Sequence, residues 1–303
     1  MFGFIILHYG DISVTDKCIK SILALESVRS CSVSELSDNS GFPDDSGEKV
    51  KILVIDNDSD KTDQERDELS RRYKDIPEVE ILQIKEKAGF SHANNLGYVR
   101  IKEQSDFDYL IVANNDITFE QKDFLKNVSE NHEKYKWDIL SPDVLSSSSG
   151  EHQSPIATKG RTKAELNKTI FLNKLFLILL PIAYKIVGKK LKSYKREGFT
   201  DRRKTGIVPC GACFVLSKSF IHDEARIFDP ETEFYYEEYI LHERCRRKGY
   251  TIMYDPSMQV IHADGVSTKG RAEKEKQRLK FLLGHTAKSA EVYRKYMYGN
   301  EVL

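Results

Sequence analysis

Short apolar runs alternate with amphipathic stretches along the first half of the chain. The runs are rich in Ile, Val, Leu and Tyr and span residues 2–9, 50–56, 79–84 and 108–113. Their length and composition predict buried strands. Stretches with helical spacing follow these runs, at about 13–26, 61–74, 91–104 and 121–135. This alternation predicts an open, mostly parallel central sheet flanked by helices, a Rossmann-like α/β fold.

Three other segments interrupt or end this alternation. Residues 27–48 are rich in Ser, Asp and Gly without periodicity and predict a surface insertion. SSSSG at 146–150 ends the series, and a second insertion of about 151–205 separates it from a strand-like run at 206–217. Asp255-Pro256 predicts a turn between two short strands.

Composition excludes some classes of protein. With 303 residues, 40% of them apolar, the chain is long enough for one elaborated domain. Lys+Arg and Asp+Glu both number 47, so no overall charge favours nucleic acid as a partner. The N-terminus lacks the basic region and cleavage site of a signal peptide, and five cysteines without that signal predict reduced thiols in the cytoplasm. We interpret Cys210 and Cys213 as buried strand residues rather than a zinc or redox pair.

The second insertion combines an apolar run with clustered cations. LFLILLPIA at 175–183 is too short to span a bilayer, and KIVGKKLKSYKR follows it. From Lys159 to Lys204 there are fourteen Lys or Arg residues against three acids. This pattern is typical of a helix on an anionic membrane surface, although a helix packed on the domain with a solvated basic face fits it equally.

Polar residues cluster where the predicted strands end. His8 and Tyr9 follow the first strand, Asp56, Asn57, Asp58 and Ser59 end or follow the second, and Asn114, Asn115 and Asp116 follow the fourth. Ligands of open α/β sheets bind at this edge, so three such strand exits predict a ligand site there. Asp116 is a carboxylate with two amides before it, which suits a hard cation such as Mg²⁺ or Mn²⁺ able to bridge a diphosphate.

Four blocks then resemble a known family. They are the opening strand with CIKSIL at 18–23, VIDNDS at 54–59, GFSHANNLG at 89–97 with LIVANND at 110–116, and FYYEEYILHERCRRKGY at 234–250 leading to VIHADGVS at 260–267. Together they are similar to family 2 glycosyltransferases of the GT-A fold, in particular the bacterial rhamnosyltransferase-like members. The resemblance covers about 1–145 and 206–268, and implies a domain over 1–268 with a nucleotide-sugar half at about 1–145 and an acceptor half at about 206–268. It does not cover the second insertion or residues 269–303, which we predict to be a helical tail.

The resemblance implies roles for individual residues. GFSHANNLG matches the family's G-F-A-x-x-N-N-x-G, so its glycines and amides are expected to contact the sugar nucleotide, and Asp56 the nucleoside. Asp116 matches the last acid of the D-x-D motif that coordinates metal, although Asn114 replaces the first. His262 matches V-x-H-x-x-G and is expected to complete the metal site. The residues expected to bind the sugar nucleotide are His8, Tyr9, Asp56, Asn57, Gly89, Phe90, Asn94, Asn95, Asn114 and Asn115.

Two adjacent acids compete for the role of general base. Glu237 and Glu238 correspond to the family's E-D pair, whose second acid resembles the base of an inverting transfer. We therefore choose Glu238 as the base. Glu replaces Asp there, and the later acid of E-D-x-D is Ile240, so Glu237 remains the alternative.

The sequence thus predicts a metal-dependent inverting glycosyltransferase. It would move a sugar from a nucleoside diphosphate to a glycan or lipid-linked acceptor in bacterial surface polysaccharide synthesis, in the cytoplasm or on the inner face of the cell membrane. A nucleotidyltransferase is the alternative enzyme, but His8, Tyr9, Gly10 and Asp11 offer no cations for a triphosphate. A non-catalytic sugar-nucleotide or glycan-binding relative is the third reading.

Overall fold

A computed structural model describes residues 1–26, 28, 49–57, 63–85, 88–192, 199–263 and 272–299. The insertion predicted at 27–48 lies outside the described residues apart from Val28, and so do Asp58 and Ser59.

Four parallel strands form the first part of the sheet. They are β1 (Phe2–His8), β2 (Val50–Asp56), β3 (Val79–Gln83) and β4 (Tyr109–Asn114), in the order β3-β2-β1-β4. The helices of this part are α1 (Ile12–Leu23), α2 (Asp63–Tyr73) and α3 (Phe90–Lys102). The strands form because nearly every residue of β1, β2 and β4 is buried, with apolar clusters on both faces of the sheet. The predicted strands and helices of this part are confirmed.

Helix α1 shows how the local sequence sets these elements. Its buried residues are Thr15, Cys18, Ile19 and Ile22, at the spacing of one helix face. The side chain of Asp11 accepts a hydrogen bond from the Ser13 backbone N–H and so caps the first turn. The cap lies at the carboxyl end of β1, which fixes where the helix leaves the sheet.

Antiparallel strands enter in the second part. Its elements are β5 (Ile117–Thr118), α4 (Phe124–Tyr135), β6 (Ile139–Ser146), α5 (Lys163–Lys192), β7 (Lys204–Thr205), β8 (Cys213–Ser217), α6 (Lys218–Asp223), α7 (Glu237–Lys248), β9 (Ile252–His262) and α8 (Ala272–Tyr298). The sheet continues as β4-β8-β6-β9-β5, and β7 pairs with β9. Strand β8 runs antiparallel to both β4 and β6, whereas β6 and β9 are parallel. Most strands therefore share one direction.

Two predicted boundaries in this part are wrong. The run at 206–217 is a strand only over Cys213–Ser217, because Pro209 has no N–H to donate and Val208 forms only an isolated bridge with Ala157. The predicted turn at Asp255-Pro256 is instead an irregularity within β9, where the pairing with β6 skips from Asp255 to Gln259. Buried Asp255 is held there by Arg203 and by the Ser257 backbone N–H.

Helices α5 and α8 pack against each other in antiparallel fashion. Lys174 pairs with Glu291, and farther along α5 Leu180 is buried with Leu279 and Leu283. The chain of α5 stays helical through Pro181, and the helical character predicted for the second insertion and the tail is confirmed. Within the described residues, no helix is both long enough and apolar enough to cross a membrane.

Candidate active site

The ends of β1, β2 and β4 bring three predicted residues side by side. His8 pairs in register with Asp56, and Leu7 pairs with Asn114. His8 and Asp56 are both buried, and His8 Nδ1 lies 2.6 Å from Thr15 Oγ1 on α1. Because parallel strands place their carboxyl ends at one edge, this edge presents a polar floor on an apolar sheet.

Asn115 joins the loop after β4 to the loop after β1. Its Nδ2 donates to the Tyr9 backbone carbonyl at 3.2 Å and to Thr15 Oγ1 at 2.8 Å. The Tyr9 side chain is 53% exposed. The amide therefore fixes the loop while the Tyr9 ring stays accessible to a planar group.

Asn57 holds the loop that leads into α3. Its Nδ2 donates to the Ala88 carbonyl, and its Oδ1 accepts from the Ala88 N–H, both at 2.8 Å. A side-chain amide can replace a strand partner in this way and satisfy both backbone groups of one loop residue. Asn57 thus positions the segment that begins at Gly89.

Gly89 is the N-cap of α3 and lies against another loop. A Cβ atom at Gly89 would come within 2.8 Å of the Glu233 Cα atom, and the Phe90 N–H donates to the Glu233 carbonyl at 2.7 Å. The close backbone approach predicted for this glycine is therefore observed toward the protein's own loop. That loop leads directly into α7.

The amides of Asn94 and Asn95 contact the protein itself. Asn95 Oδ1 accepts from the N–H groups of Ile227 and Phe228 at 3.0 and 2.9 Å, and its Nδ2 donates to the Phe228 carbonyl. Asn94 Nδ2 donates to the Phe90 carbonyl, whereas its Oδ1 is buried without a hydrogen-bond partner. Irregular backbone at 227–228 needs such partners. A contact of these amides with a sugar nucleotide stays a prediction.

Asp116 and His262 meet although they are far apart in sequence. Ile117 pairs with His262 in the β5–β9 ladder, and Asp116 Oδ1 lies 3.0 Å from His262 Nε2. The other ring nitrogen of His262, Nδ1, lies 2.7 Å from Gln153 Oε1. An amide oxygen only accepts, so with this orientation Nδ1 donates to Gln153, and Nε2 is the ring nitrogen that faces Asp116.

This pair fits a divalent cation. Two ligands at right angles around an ion about 2.1 Å away from each lie about 3.0 Å apart, the separation seen between Oδ1 and Nε2. The described residues contain no group of three or more His, Cys, Asp or Glu side chains suited to a metal. A magnesium-like ion that keeps waters and binds substrate phosphates needs only one or two protein ligands. Gln153, which sequence reasoning missed, orients the histidine.

Glu237 and Glu238 begin α7 in different surroundings. Glu237 is 6% exposed, and its Oε2 is buried without a hydrogen-bond partner. Burial, followed by the charge of Glu238, raises the pKa of Glu237 well above its usual range. This shift favours the protonated form of the Glu237 carboxyl.

Glu238 lies at the carboxyl edge of the sheet. A Cβ atom at Gly211 would come within 2.5 Å of Glu238 Oε1, and the next carbonyl, of Ala212, accepts from the Asn114 N–H at 2.9 Å. The carboxylate thus packs over backbone hydrogen-bonded to the end of β4, beside the turn that carries Asp116. The structure brings the two acids of α7 to the same edge as the strand-end residues.

Two consecutive tyrosines in a strained conformation precede these acids. Tyr235 and Tyr236 have φ angles of 68° and 62°, a left-handed conformation that costs a non-glycine residue about 1–3 kcal/mol. The ring of Tyr236 stacks on Tyr293 of α8, and Ser289 Oγ donates to the Phe234 carbonyl at 2.7 Å. Sequence reasoning missed this loop because no glycine or asparagine marks the positive φ angles.

Two other features lie apart from this edge. A cavity of about 600 Å³ is lined by the second half of α7, residues 158–162 and the end of α8, and none of the predicted site residues lines it. Cys210 and Cys213 are buried, as predicted, but only Cys213 lies in a strand, and burial raises the pKa of the Cys213 thiol.

Solved structures similar to this chain confirm the predicted fold. TarS residues 1–349 from S. aureus match with a TM-score of 0.50 and 12% identity over 98% of this chain and 72% of that one. GalNAc-T7 with UDP, GalNAc and Mn²⁺ matches with a TM-score of 0.50 and 12% identity, over 92% of this chain and 47% of that one. The mannosyltransferase PcManGT from Pyrobaculum calidifontis with GDP-Man and Mn²⁺ matches with a TM-score of 0.50 and 13% identity, over 97% of this chain and 69% of that one.

These identities establish likeness of fold, which is the GT-A fold of glycosyltransferases. No protein-family model and no curated protein sequence matches the chain. The activity therefore has to be argued from the site.

Proposed function

We propose that this protein is an inverting glycosyltransferase that uses a nucleoside-diphosphate sugar. The observation that carries the proposal is the convergence of a carboxylate–imidazole pair, Asp116 with His262, and two adjacent acids, the buried Glu237 and Glu238 packed over Gly211, on one sheet edge. One pair suits a diphosphate-bound cation and the other offers a base. In glycosyl transfer from a diphosphate donor, a cation can neutralise the departing diphosphate while a base takes the proton of the acceptor hydroxyl.

The similar structures support the class of donor. One holds UDP, GalNAc and Mn²⁺, and another holds GDP-Man and Mn²⁺. For this chain, the polar floor of His8, Asp56 and Asn114, together with the accessible Tyr9 ring, is the place for the nucleoside diphosphate. Rhamnose is the sugar that the sequence resemblance favours.

Asp116 and His262 would hold Mg²⁺ or Mn²⁺. The bound ion supplies positive charge that neutralises the departing diphosphate. Gln153 keeps the His262 ring oriented, so this ligand is already in position before the donor binds.

Glu238 is the proposed general base. It accepts the proton of the acceptor hydroxyl while that oxygen forms a bond to the anomeric carbon from the face opposite the diphosphate. The bond between the anomeric carbon and the diphosphate oxygen breaks, and its electron pair leaves with the nucleoside diphosphate. Burial, followed by the charge of the neighbouring acid, raises the pKa of Glu237 and so disfavours it as the base.

Incubation of the purified protein with UDP-, GDP- and dTDP-sugars, Mn²⁺ and methyl glycosides tests this function. Mass spectrometry would detect the transferred sugar, and NMR would determine the configuration of the new bond. We expect transfer with inversion from one class of donor. Retention would contradict the role of Glu238, and transfer of a nucleotide instead of a sugar would favour a nucleotidyltransferase. Donor binding without turnover would favour a non-catalytic relative.

The proposed acceptor is a glycan or lipid-linked glycan at an anionic membrane. Among the side chains of α5 that the structure describes, four large apolar ones are exposed, including Phe171 (65%), Ile178 (73%) and Ile182 (89%), which lie at the spacing of one helix face. The excess of Lys and Arg from Lys159 to Lys204 provides charge complementarity to acidic lipids. Work in bacterial surface polysaccharide synthesis, on the inner face of the cell membrane, is part of this proposal.

We predict co-sedimentation with vesicles of phosphatidylglycerol and phosphatidylcholine, weakened by salt. The double variant Ile178→Asp/Ile182→Asp should lose most of this binding because it places acids in the apolar face, without unfolding a surface already exposed. Vesicles of phosphatidylcholine alone are the control. Equal sedimentation of the wild-type protein and the double variant at low salt would contradict membrane binding by this face and favour a helix packed on the domain.

A further inference from the structure

One face of α8 covers the loop that leads into Glu237 and Glu238. Its residues Arg278, Phe281, His285, Lys288 and Ser289 recur at the spacing of one helix face. The ring of Phe281 lies 4.9 Å from that of Phe234, and His285 lies 5.2 Å from Phe234. Lys288 forms an ion pair with Glu233 of the same loop. The C-terminal helix is thus part of the wall beside the proposed base.

Two rings on this wall remain open. Phe281 is 43% exposed although it packs against Phe234 and His285, and Tyr235, the residue after Phe234, is 36% exposed. Tyr235 is also the first of the two left-handed residues, and such strain persists where the surrounding structure holds it and where function requires the geometry. The contacts from Ser289 and Lys288 supply that support.

The charges near Tyr235 are those of the proposed catalytic acids. Burial, followed by the nearby carboxyls of Glu237 and Glu238, raises the pKa of the Tyr235 hydroxyl, whereas Arg278 opposes the shift. Tyr235 therefore lies within electrostatic reach of both acids and of a cation on α8. An exposed aromatic wall with a few polar groups beside a base is the composition of a small-molecule subsite.

We propose that Tyr235 and Phe281 form the acceptor subsite, in which their rings take the apolar face of the acceptor sugar ring and leave its hydroxyl toward Glu238. This inference rests on the proposed glycosyl transfer and names the residues that select its second substrate. Donor contacts lie at the strand ends of the first part of the sheet, so the two subsites are on separate elements.

The test uses the full-length protein with the donor found active, Mn²⁺ and methyl glycosides as acceptors. Methyl glycosides carry no aryl group that could itself stack on the rings. Phe281→Leu and Tyr235→Leu should each raise the acceptor KM by about tenfold. Water needs no acceptor subsite, so hydrolysis of the donor should change less than twofold in both variants. Phe281→Tyr should keep the acceptor KM of the wild type.

Phe199→Leu is the matched control, since Phe199 is also an exposed aromatic residue but stacks on His152, away from α8. An unchanged acceptor KM in both leucine variants would overturn the subsite. So would loss of vesicle binding without any change in transfer to methyl glycosides, because the rings would then face lipid. A wild-type protein that hydrolyses the donor but transfers sugar to no methyl glycoside also contradicts the subsite, whereas one that neither hydrolyses the donor nor transfers its sugar contradicts the proposed function itself.

Discussion

The parallel part of the sheet and the region around α7 treat their polar side chains in opposite ways. In the parallel part, the amides of Asn57, Asn95 and Asn115 bond to the protein's own loops. Around α7, Glu237 keeps a buried oxygen without a hydrogen-bond partner and follows two left-handed residues. These three amides of the first region are satisfied, whereas the second region combines a buried acid of raised pKa with a strained backbone.

This difference distinguishes residues that hold the structure in place from residues that take part in the proposed reaction. Satisfied amides make loops rigid, so the strand ends provide a preformed platform for a donor. Buried acids with perturbed pKa values and strained backbone are features that proteins retain mainly at functional sites. We therefore expect substitutions in the two regions to affect different quantities: stability in the first and rate in the second.

The largest effect is expected at the turn after β4. Asp116→Ala should lower the transfer rate by about a thousandfold and remove its dependence on Mn²⁺, because the diphosphate then leaves without charge neutralisation. Asp123→Ala, a nearby exposed carboxylate at the start of α4, is the control and should transfer normally. Full turnover of Asp116→Ala in excess chelator would contradict the role of Asp116 as a metal ligand.

The sequence predicted the platform better than the strained loop. Strands β1, β2 and β4 are long buried apolar runs, and a run of that kind has few alternatives to a central strand. The pairing of Asp116 with His262 followed only from family resemblance, since 146 positions separate them and β9 brings them together. Tyr235 and Tyr236 could not be predicted, because tertiary contacts with α8 impose their backbone angles.

The next largest effect on the transfer rate is expected at one of the two acids of α7. Glu238→Gln should lower the transfer rate by about a hundredfold or more with donor affinity nearly intact, since proton abstraction matters only in the transition state. Glu237→Gln should stay within about threefold, because glutamine has nearly the shape of the protonated acid that burial favours. A normal rate in Glu238→Gln with an inactive Glu237→Gln would make Glu237 the base.

A smaller effect should come from the backbone beneath Glu238. The methyl group of Gly211→Ala would lie 2.5 Å from Glu238 Oε1, so the carboxylate has to move while the fold stays intact. We expect a rate loss of roughly tenfold at unchanged donor affinity, because a misplaced base abstracts its proton less well. Gly284→Ala on α8 is the control, since a Cβ atom there meets nothing within 4 Å. An unaltered rate in Gly211→Ala would place Glu238 outside the reaction.

The smallest effect on rate is expected in the platform. Asn95→Ala removes three hydrogen bonds to Ile227 and Phe228, which should lower the free energy of unfolding by about 3 kcal/mol. The transfer rate of the folded protein should change little. Asn127→Ala on α4 is the control in the same thermal melts. If Asn95→Ala instead loses donor binding at unchanged stability, Asn95 contacts the sugar nucleotide, and the distinction between the two regions is wrong.

The most direct test of the shared site is a crystal structure with Mn²⁺ and a nucleoside diphosphate, using anomalous diffraction to locate the metal. We predict a manganese peak within bonding distance of Asp116 Oδ1 and His262 Nε2, with the diphosphate on the same ion and Glu238 facing the open side. A manganese ion bound elsewhere, with Asp116 and His262 still in contact only with each other, would contradict the account.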